Sequence, residues 1–228
     1  MEATGKNNSD INGVLNNEKN LTQMVYRKIK EMMIQYEIIP GQRLVFSDMA
    51  NRLGVSRTPV NNALSILANE GFLDLIPHQG YTVHEITKEE AESLYEIREI
   101  IELGCVSSVI RKLTPEKLET LEQKKRLYEN AVVDQVSRGR FTLDQEFHAC
   151  LVQMSDNLYL ADYFREVYQR IFLRHHIEGL TAGRGQKVVL EHDRIFEAIS
   201  LRDVEGVKES IKFHIKTGKE YIFSVIFG

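Results

Sequence analysis

"GVSRTPVNNALSILANEGFLDLIPHQGYTVHEI" occupies residues 54–86, and its reading decides the fold of the first part of the chain. Ser56 has the chemistry of a helix N-cap. Pro59 falls in the first turn, where a missing N–H costs little. Gly71 ends the apolar periodicity as a C-terminal stop. "FLDLI" (72–76) and "YTVHEI" (81–86) then alternate like strands, with "PHQG" (77–80) between them as a hairpin signal. Just upstream, "SDMANRLG" (47–54) predicts another short helix, with Ser47 as its N-cap and Gly54 as its stop. Two short helices across a tight turn, followed by a two-stranded wing, make either a winged helix-turn-helix, whose second helix fits a DNA major groove, or another small α+β module; periodicity alone does not choose between them.

Further upstream, "LTQMVYRKIKEMMIQY" (21–36) carries apolar residues at Leu21, Met24, Val25, Ile29, Met32 and Met33, a helical period. "EIIPGQRL" (37–44) follows as a Pro-Gly turn. Residues 1–20 are polar, lack the apolar stretch of a signal peptide, and are expected to form a flexible tail. From residue 88 onward the strand signals vanish. "KEEAESLYEIREIIELGCVSSVIRKL" (88–113) predicts a long amphipathic helix. "TPEKLETLEQKKRLYENAVVDQ" (114–135) predicts another, with Thr114 as N-cap and Pro115 at the first helical position. Lys117 stands where a full capping box would need Glu or Gln. Further helices are expected over about 141–155, 157–178, 186–201 and 204–224. The predicted fold class is therefore mainly α: an α+β winged helix-turn-helix over 21–87, then an all-α helical bundle over 88–228.

The 228 residues are 43% hydrophobic and 27% charged, ordinary for a globular protein. No apolar run approaches the ~18–20 residues of a membrane span, so a cytoplasmic protein without a membrane partner is expected. Cys105 and Cys150 are the two cysteines. Both lie in apolar helical surroundings and read as buried free thiols. The net charge of −4 does not announce nucleic acid. Over residues 21–87, six Lys or Arg side chains balance six Asp or Glu.

In "RFTLDQEFHACLVQM" (140–154), Asp144 and His148 stand four apart. On a helix that puts both on one face, one turn apart. Two readings compete: a surface Asp with a boundary His, or half of a metal site. Imidazole nitrogens suit zinc, nickel, iron and manganese, and a carboxylate offsets part of the charge. His78 is expected on the wing, His84 on a strand, and His175 and His176 in a helix, one of that last pair bordering a pocket.

"GVSRTPVNNALSILANEGFL" with "HQGYTV" resembles the DNA-binding domain of the GntR family of bacterial transcription regulators. "LYEIREIIELG", "DQEFHACLVQMSDN" and "EHDRIFEAISLRDVEGVKESIKFHI" resemble the FCD branch of that family. The resemblance covers nearly everything after residue 20. It implies a divalent metal, zinc or nickel before manganese or iron, held by Asp144, His148, His192 and His214. It also implies a small carboxylate effector. Arg98 matches an arginine of many FCD first helices and would clamp such an acid bidentately, with Tyr95 one turn earlier. An i, i+4 surface ion pair of Arg98 with Glu102 is the plainer reading.

On the DNA side the resemblance points to Ser47, Ser56, Arg57, Thr58, Asn61, Gln79 and Gly80. The chain departs from the family pattern at Asn61 and Asn62, where Arg and Glu are usual, and at Gln79, a place often basic. Asn61 can still read adenine through N6 and N7, so a different operator is expected. The function implied is a homodimeric repressor on operator DNA, controlled by the effector. A metal-dependent hydrolase or isomerase and a direct metal sensor are the alternatives.

Overall fold

The computed structural model describes residues 8–134, 139–173 and 182–227. The chain divides into two compact units, Met1–Glu85 and Ile86–Gly228.

In the first unit, α1 (Asn8–Ile34) begins well before Leu21, so the expected flexible tail is helical from residue 8 onward. Extending a helix costs far less than nucleating one, and the apolar stripe downstream supplies the nucleus. Val25, Ile29, Met32 and Met33 of that stripe are buried. β1 (Arg43–Leu44), α2 (Phe46–Leu53), α3 (Arg57–Asn69), β2 (Leu73–Ile76) and β3 (Gly80–Val83) follow. α1 packs on α3, which buries Val60, Ala63, Leu64 and Leu67 on its inner face.

The sheet is three-stranded and antiparallel, in the order β1-β3-β2. Leu44 faces Tyr81, and Leu73 faces Val83. The sequence pattern missed β1 because two residues cannot display alternation; its pairing with β3 creates the strand. Gly80 sits at φ 97°, and a Cβ there would meet the Leu44 carbonyl oxygen at 3.1 Å. A glycine is therefore required where the wing folds back beside β1. His78 lies in the hairpin turn at φ 62°. His84 stands just beyond β3 and pairs with Asp74 at 2.9 Å.

The cap of α2 differs from expectation. Its N-cap is Val45, with no side-chain capping bond, and Ser47 lies inside the first turn, bonded to Asp48 Oδ1 at 3.1 Å. Burying Leu44 on the sheet starts the helix two residues earlier than the sequence pattern places it. Gly54 closes α2 in the left-handed conformation at φ 67°. Ser56 occupies the N-cap of α3 without a capping bond from its side chain.

The second unit contains α4 (Lys88–Arg111), α5 (Pro115–Val133), α6 (Arg140–Gln153), α7 (Leu158–Phe172), α8 (Ala182–Ser200) and α9 (Val204–Ile226). Thr87 and Glu90 form a reciprocal capping box on α4. Thr114 caps α5 by accepting from the Lys117 N–H at 3.3 Å. The Lys117 ammonium is used elsewhere, donating to the Met154 carbonyl at 3.0 Å and to Asp156 at 2.7 Å. α4 packs on α6, α7 and α9, α5 on α6 and α8, and α8 on α9. The core runs from Val106 and Val109 through Phe147, Leu151 and Phe164 to Ile195, Ile211 and Ile215. Cys105 and Cys150 are buried and free. The last residues of the expected 157–178 helix, with His175 and His176, lie outside the described residues. Among the described residues no helix is long and apolar enough to cross a membrane.

Candidate metal centre and nucleic-acid interface

The apolar interior of the second unit holds an unusual polar cluster. α6 contributes Asp144 and His148 from one face, α8 contributes His192 and α9 contributes His214. All four are buried, and each offers a ligand atom within 4.8 Å of the others. His192 Nε2 lies 3.1 Å from Asp144 Oδ1, and His214 Nε2 lies 3.7 Å from it. Asp144 Oδ1, His148 Nε2 and both His192 ring nitrogens are buried without a hydrogen-bond partner. Buried polar atoms are rarely left so. Four N/O ligand atoms converging in this way are the number and kind of donors one divalent ion takes, so the residues present suit the group. The other Asp144 oxygen is taken: Tyr168 donates to Oδ2 at 2.5 Å, which leaves Oδ1 as the free ligand atom.

The electrostatics favour ligation. Burial opposes charge on Asp144, yet the neighbouring His192, His214 and His148 hold its carboxyl well below the usual range. Burial pushes the His192 imidazole down to about 4, against the pull of Asp144. Burial also lowers His214. Neutral imidazoles have the lone pair a metal requires. The His192 ring stacks on Phe147 at 4.1 Å, and the His148 ring stacks on His214 at 4.6 Å, so packing as well as bonding orients them.

Arg98 and Tyr95 lie beside this cluster, both buried on the inner face of α4. The surface ion pair considered from the sequence is instead internal: Arg98 Nε donates to Glu102 Oε1 at 2.7 Å, with both side chains almost wholly buried. Arg98 Nη2 has no hydrogen-bond partner. A small cavity of about 30 Å³ is lined by Tyr95, Arg98, Tyr128, Asp144, Arg184 and His214, among others. It brings two guanidinium groups and two phenols to the edge of the His/Asp cluster.

Several contacts of the cluster escaped the sequence reading, which paired Glu102 with Arg98 alone. Glu102 accepts from His148 Nδ1 at 2.6 Å. Glu191 accepts from His214 Nδ1 at 2.8 Å, and Arg184 holds it with bonds of 2.7 and 3.0 Å. Tyr168 and Tyr128 also belong here. The available signals were weak: Glu191 adjoins His192 in "EHDRIF", and Glu102 is one turn beyond Arg98. Their histidine partners lie on other helices, so no spacing within one helix reveals them.

In the first unit, α3 opens with Arg57 and Thr58 exposed, and Asn61 exposed one turn on. With Val45, Phe46 and Ser47 they line a shallow surface recess of about 480 Å³. Ser56 is exposed at the N-cap, and Gln79 is exposed at the wing tip beside Gly80. The Gln79 carbonyl accepts from Arg43 Nε at 2.9 Å. All seven residues singled out for DNA therefore lie on α2, on α3 or its N-cap, or on the wing.

A winged helix-turn-helix followed by a helical unit with a buried ligand-type cluster is the architecture of a transcription regulator. Comparison with known families agrees. Residues 21–83 match the gntR family of bacterial regulatory proteins, and residues 93–217 match the FCD domain. The chain belongs to the GntR family and carries an FCD domain. It is 27% identical over 202 residues to YdhC, an HTH-type transcriptional regulator of Bacillus subtilis, covering 88% of this chain and 90% of that relative. It is 24% identical to the HTH-type transcriptional repressor RspR of Escherichia coli, over 91% of each. Among solved structures, Escherichia coli McbR/YncC superposes with a TM-score of 0.78 at 22% identity, covering 90% of this chain and 97% of that one. A GntR protein of Rhodococcus sp. RHA1 superposes at 0.79 and 21%, covering 89% and 97%.

Proposed function

We propose that this regulator is a homodimeric repressor whose operator binding is controlled by a small carboxylate effector bound at a divalent metal. The observation that carries the reading is the convergence of Asp144, His148, His192 and His214 on one buried point, with the unpaired Nη2 of Arg98 beside it. An ion held by those four side chains would offer Lewis-acid positions to an anion. The chain's own part is to orient and enclose that anion: Arg98 supplies a charge-assisted bond, Tyr95 and Tyr128 supply hydroxyls, and the apolar surroundings exclude water. Binding that differs between DNA-competent and incompetent states shifts their populations. α3 supplies the reading surface, with Arg57, Thr58 and Asn61 for the major groove and Gln79 and Gly80 at the wing. Exposed Ile97 and Ile100 on α4, two turns and one turn before exposed Gly104, favour a second copy as the partner of that helix face. Two copies would read a two-fold operator.

The test is metal analysis of protein purified without chelator, followed by operator titration with and without chelator and a panel of small carboxylates. About one ion per chain is expected, with effector response lost on chelation and in His192→Ala. Operator binding that never responds to a carboxylate, with metal present, overturns effector control. Protein that binds no divalent ion overturns the metal reading.

A further inference from the structure

Two of the three histidines are held from behind, each in the same way. His148 Nδ1 meets Glu102 Oε2 at 2.6 Å, and the other Glu102 oxygen accepts from Arg98 at 2.7 Å. His214 Nδ1 meets Glu191 Oε2 at 2.8 Å, and Arg184 grips both Glu191 oxygens at 2.7 and 3.0 Å. Thr217 donates to the same carboxylate at 2.9 Å. A carboxylate paired to a guanidinium can only accept, so each histidine must donate its Nδ1–H. Nδ1 protonated means Nε2 carries the lone pair; at His214 that atom lies 3.7 Å from Asp144 Oδ1, and at His148 it is buried without a hydrogen-bond partner. His192 lacks any such carboxylate. Both its nitrogens are without hydrogen bonds, and its ring is held by Phe147.

Resting on the metal reading above, we propose that Glu102 and Glu191 are positioning residues of the metal centre. Each is locked by its own arginine and commits Nε2 of His148 or His214 to the ion. The pairing has a consequence for charge. Each Glu–Arg pair is neutral, so the site bears only the charge of Asp144 against that of a divalent ion, and the remaining positive charge suits an anionic ligand. A further consequence concerns Arg98, which touches Glu102 through Nε while Nη2 stays available. It thus stands two hydrogen bonds from a metal ligand, and an Arg98 variant should disturb metal affinity as well as any anion.

The experiment measures zinc affinity of the full chain by competition with a chromophoric chelator, alongside the imidazole N–H resonances of the zinc-loaded protein. For wild type, two slowly exchanging, downfield Nδ1–H signals are expected, from His148 and His214. Glu102→Gln and Glu191→Gln should each weaken zinc by about 10–100-fold and remove one downfield signal. Glu146→Gln, on α6 but directed toward Lys124, should leave both unchanged. Loss of thermal stability of the metal-free protein with unchanged zinc affinity would assign the glutamates a structural role and overturn the proposal. If Glu102→Gln does not fold, Glu191→Gln and the wild-type spectrum still decide. Wild-type protein showing the opposite tautomer at His148 and His214 overturns it as well. Wild type that binds neither zinc nor nickel, manganese or iron overturns the metal reading instead, so the two failures are distinguishable.

Discussion

Tyr168 shows how much one side chain governs at the centre of the bundle. Its hydroxyl donates to Asp144 Oδ2 at 2.5 Å and also contacts the Phe141 carbonyl at 3.2 Å. Its ring lies 5.0 Å from the Arg98 guanidinium. Tyr168 therefore decides which Asp144 oxygen is left for an ion. Tyr168→Phe should cost about 1–3 kcal/mol of stability, because a buried carboxylate oxygen loses its donor. Denaturant unfolding of the metal-free protein measures this. A variant as stable as wild type would mean that the oxygen finds another donor. The same variant should also bind metal differently, since both oxygens of Asp144 become available.

At the scale of elements, α3 divides its labour between two faces. Val60, Ala63, Leu64 and Leu67 hold it against α1, while Arg57, Thr58 and Asn61 remain exposed. Because the outer face bears no packing, its residues can change without disturbing the fold. Arg57→Ala should leave the melting temperature nearly unchanged and cost about 1–3 kcal/mol of operator binding if it reads a base. Fluorescence anisotropy on an operator fragment checks both the loss and its dependence on sequence. Equal losses on all sequences would make Arg57 a phosphate contact instead.

At the scale of the whole molecule, the outer face of α4 needs an explanation of its own. Ile100 is 63% exposed and Ile97 is 42% exposed, while the opposite face of the same helix holds Tyr95, Arg98 and Glu102 at the His/Asp cluster. If a second copy covers those isoleucines, one helix links the dimer to the metal centre. Ile100→Asp should then shift sedimentation from dimer toward monomer and weaken operator binding, with metal content retained. A variant that still sediments as a dimer would move the interface elsewhere.

The sequence by itself determined the elements of the first unit and the helical bundle, because these are written in local terms, while resemblance to a known family singled out the winged helix-turn-helix among small α+β modules. Periodicity, the proline in the first turn of α3 and the glycine stops at Gly54 and Gly71 act within a few residues of chain. It also marked Asp144 and His148 as a pair, since their spacing alone puts them on one helix face. His192 and His214 were reached by family resemblance, not by spacing. Only the tertiary structure decided the rest. β1 exists because β3 pairs with it. Ser47 falls inside α2 because Leu44 is drawn onto the sheet. Arg98 and Glu102 have the spacing of a surface ion pair, yet packing of α4 against α6, α7 and α9 buries them. Glu191 acquires its histidine only when α8 meets α9. Spacing fixes what one helix presents on each face; what that face meets depends on where other helices pack, and no local rule carries that information.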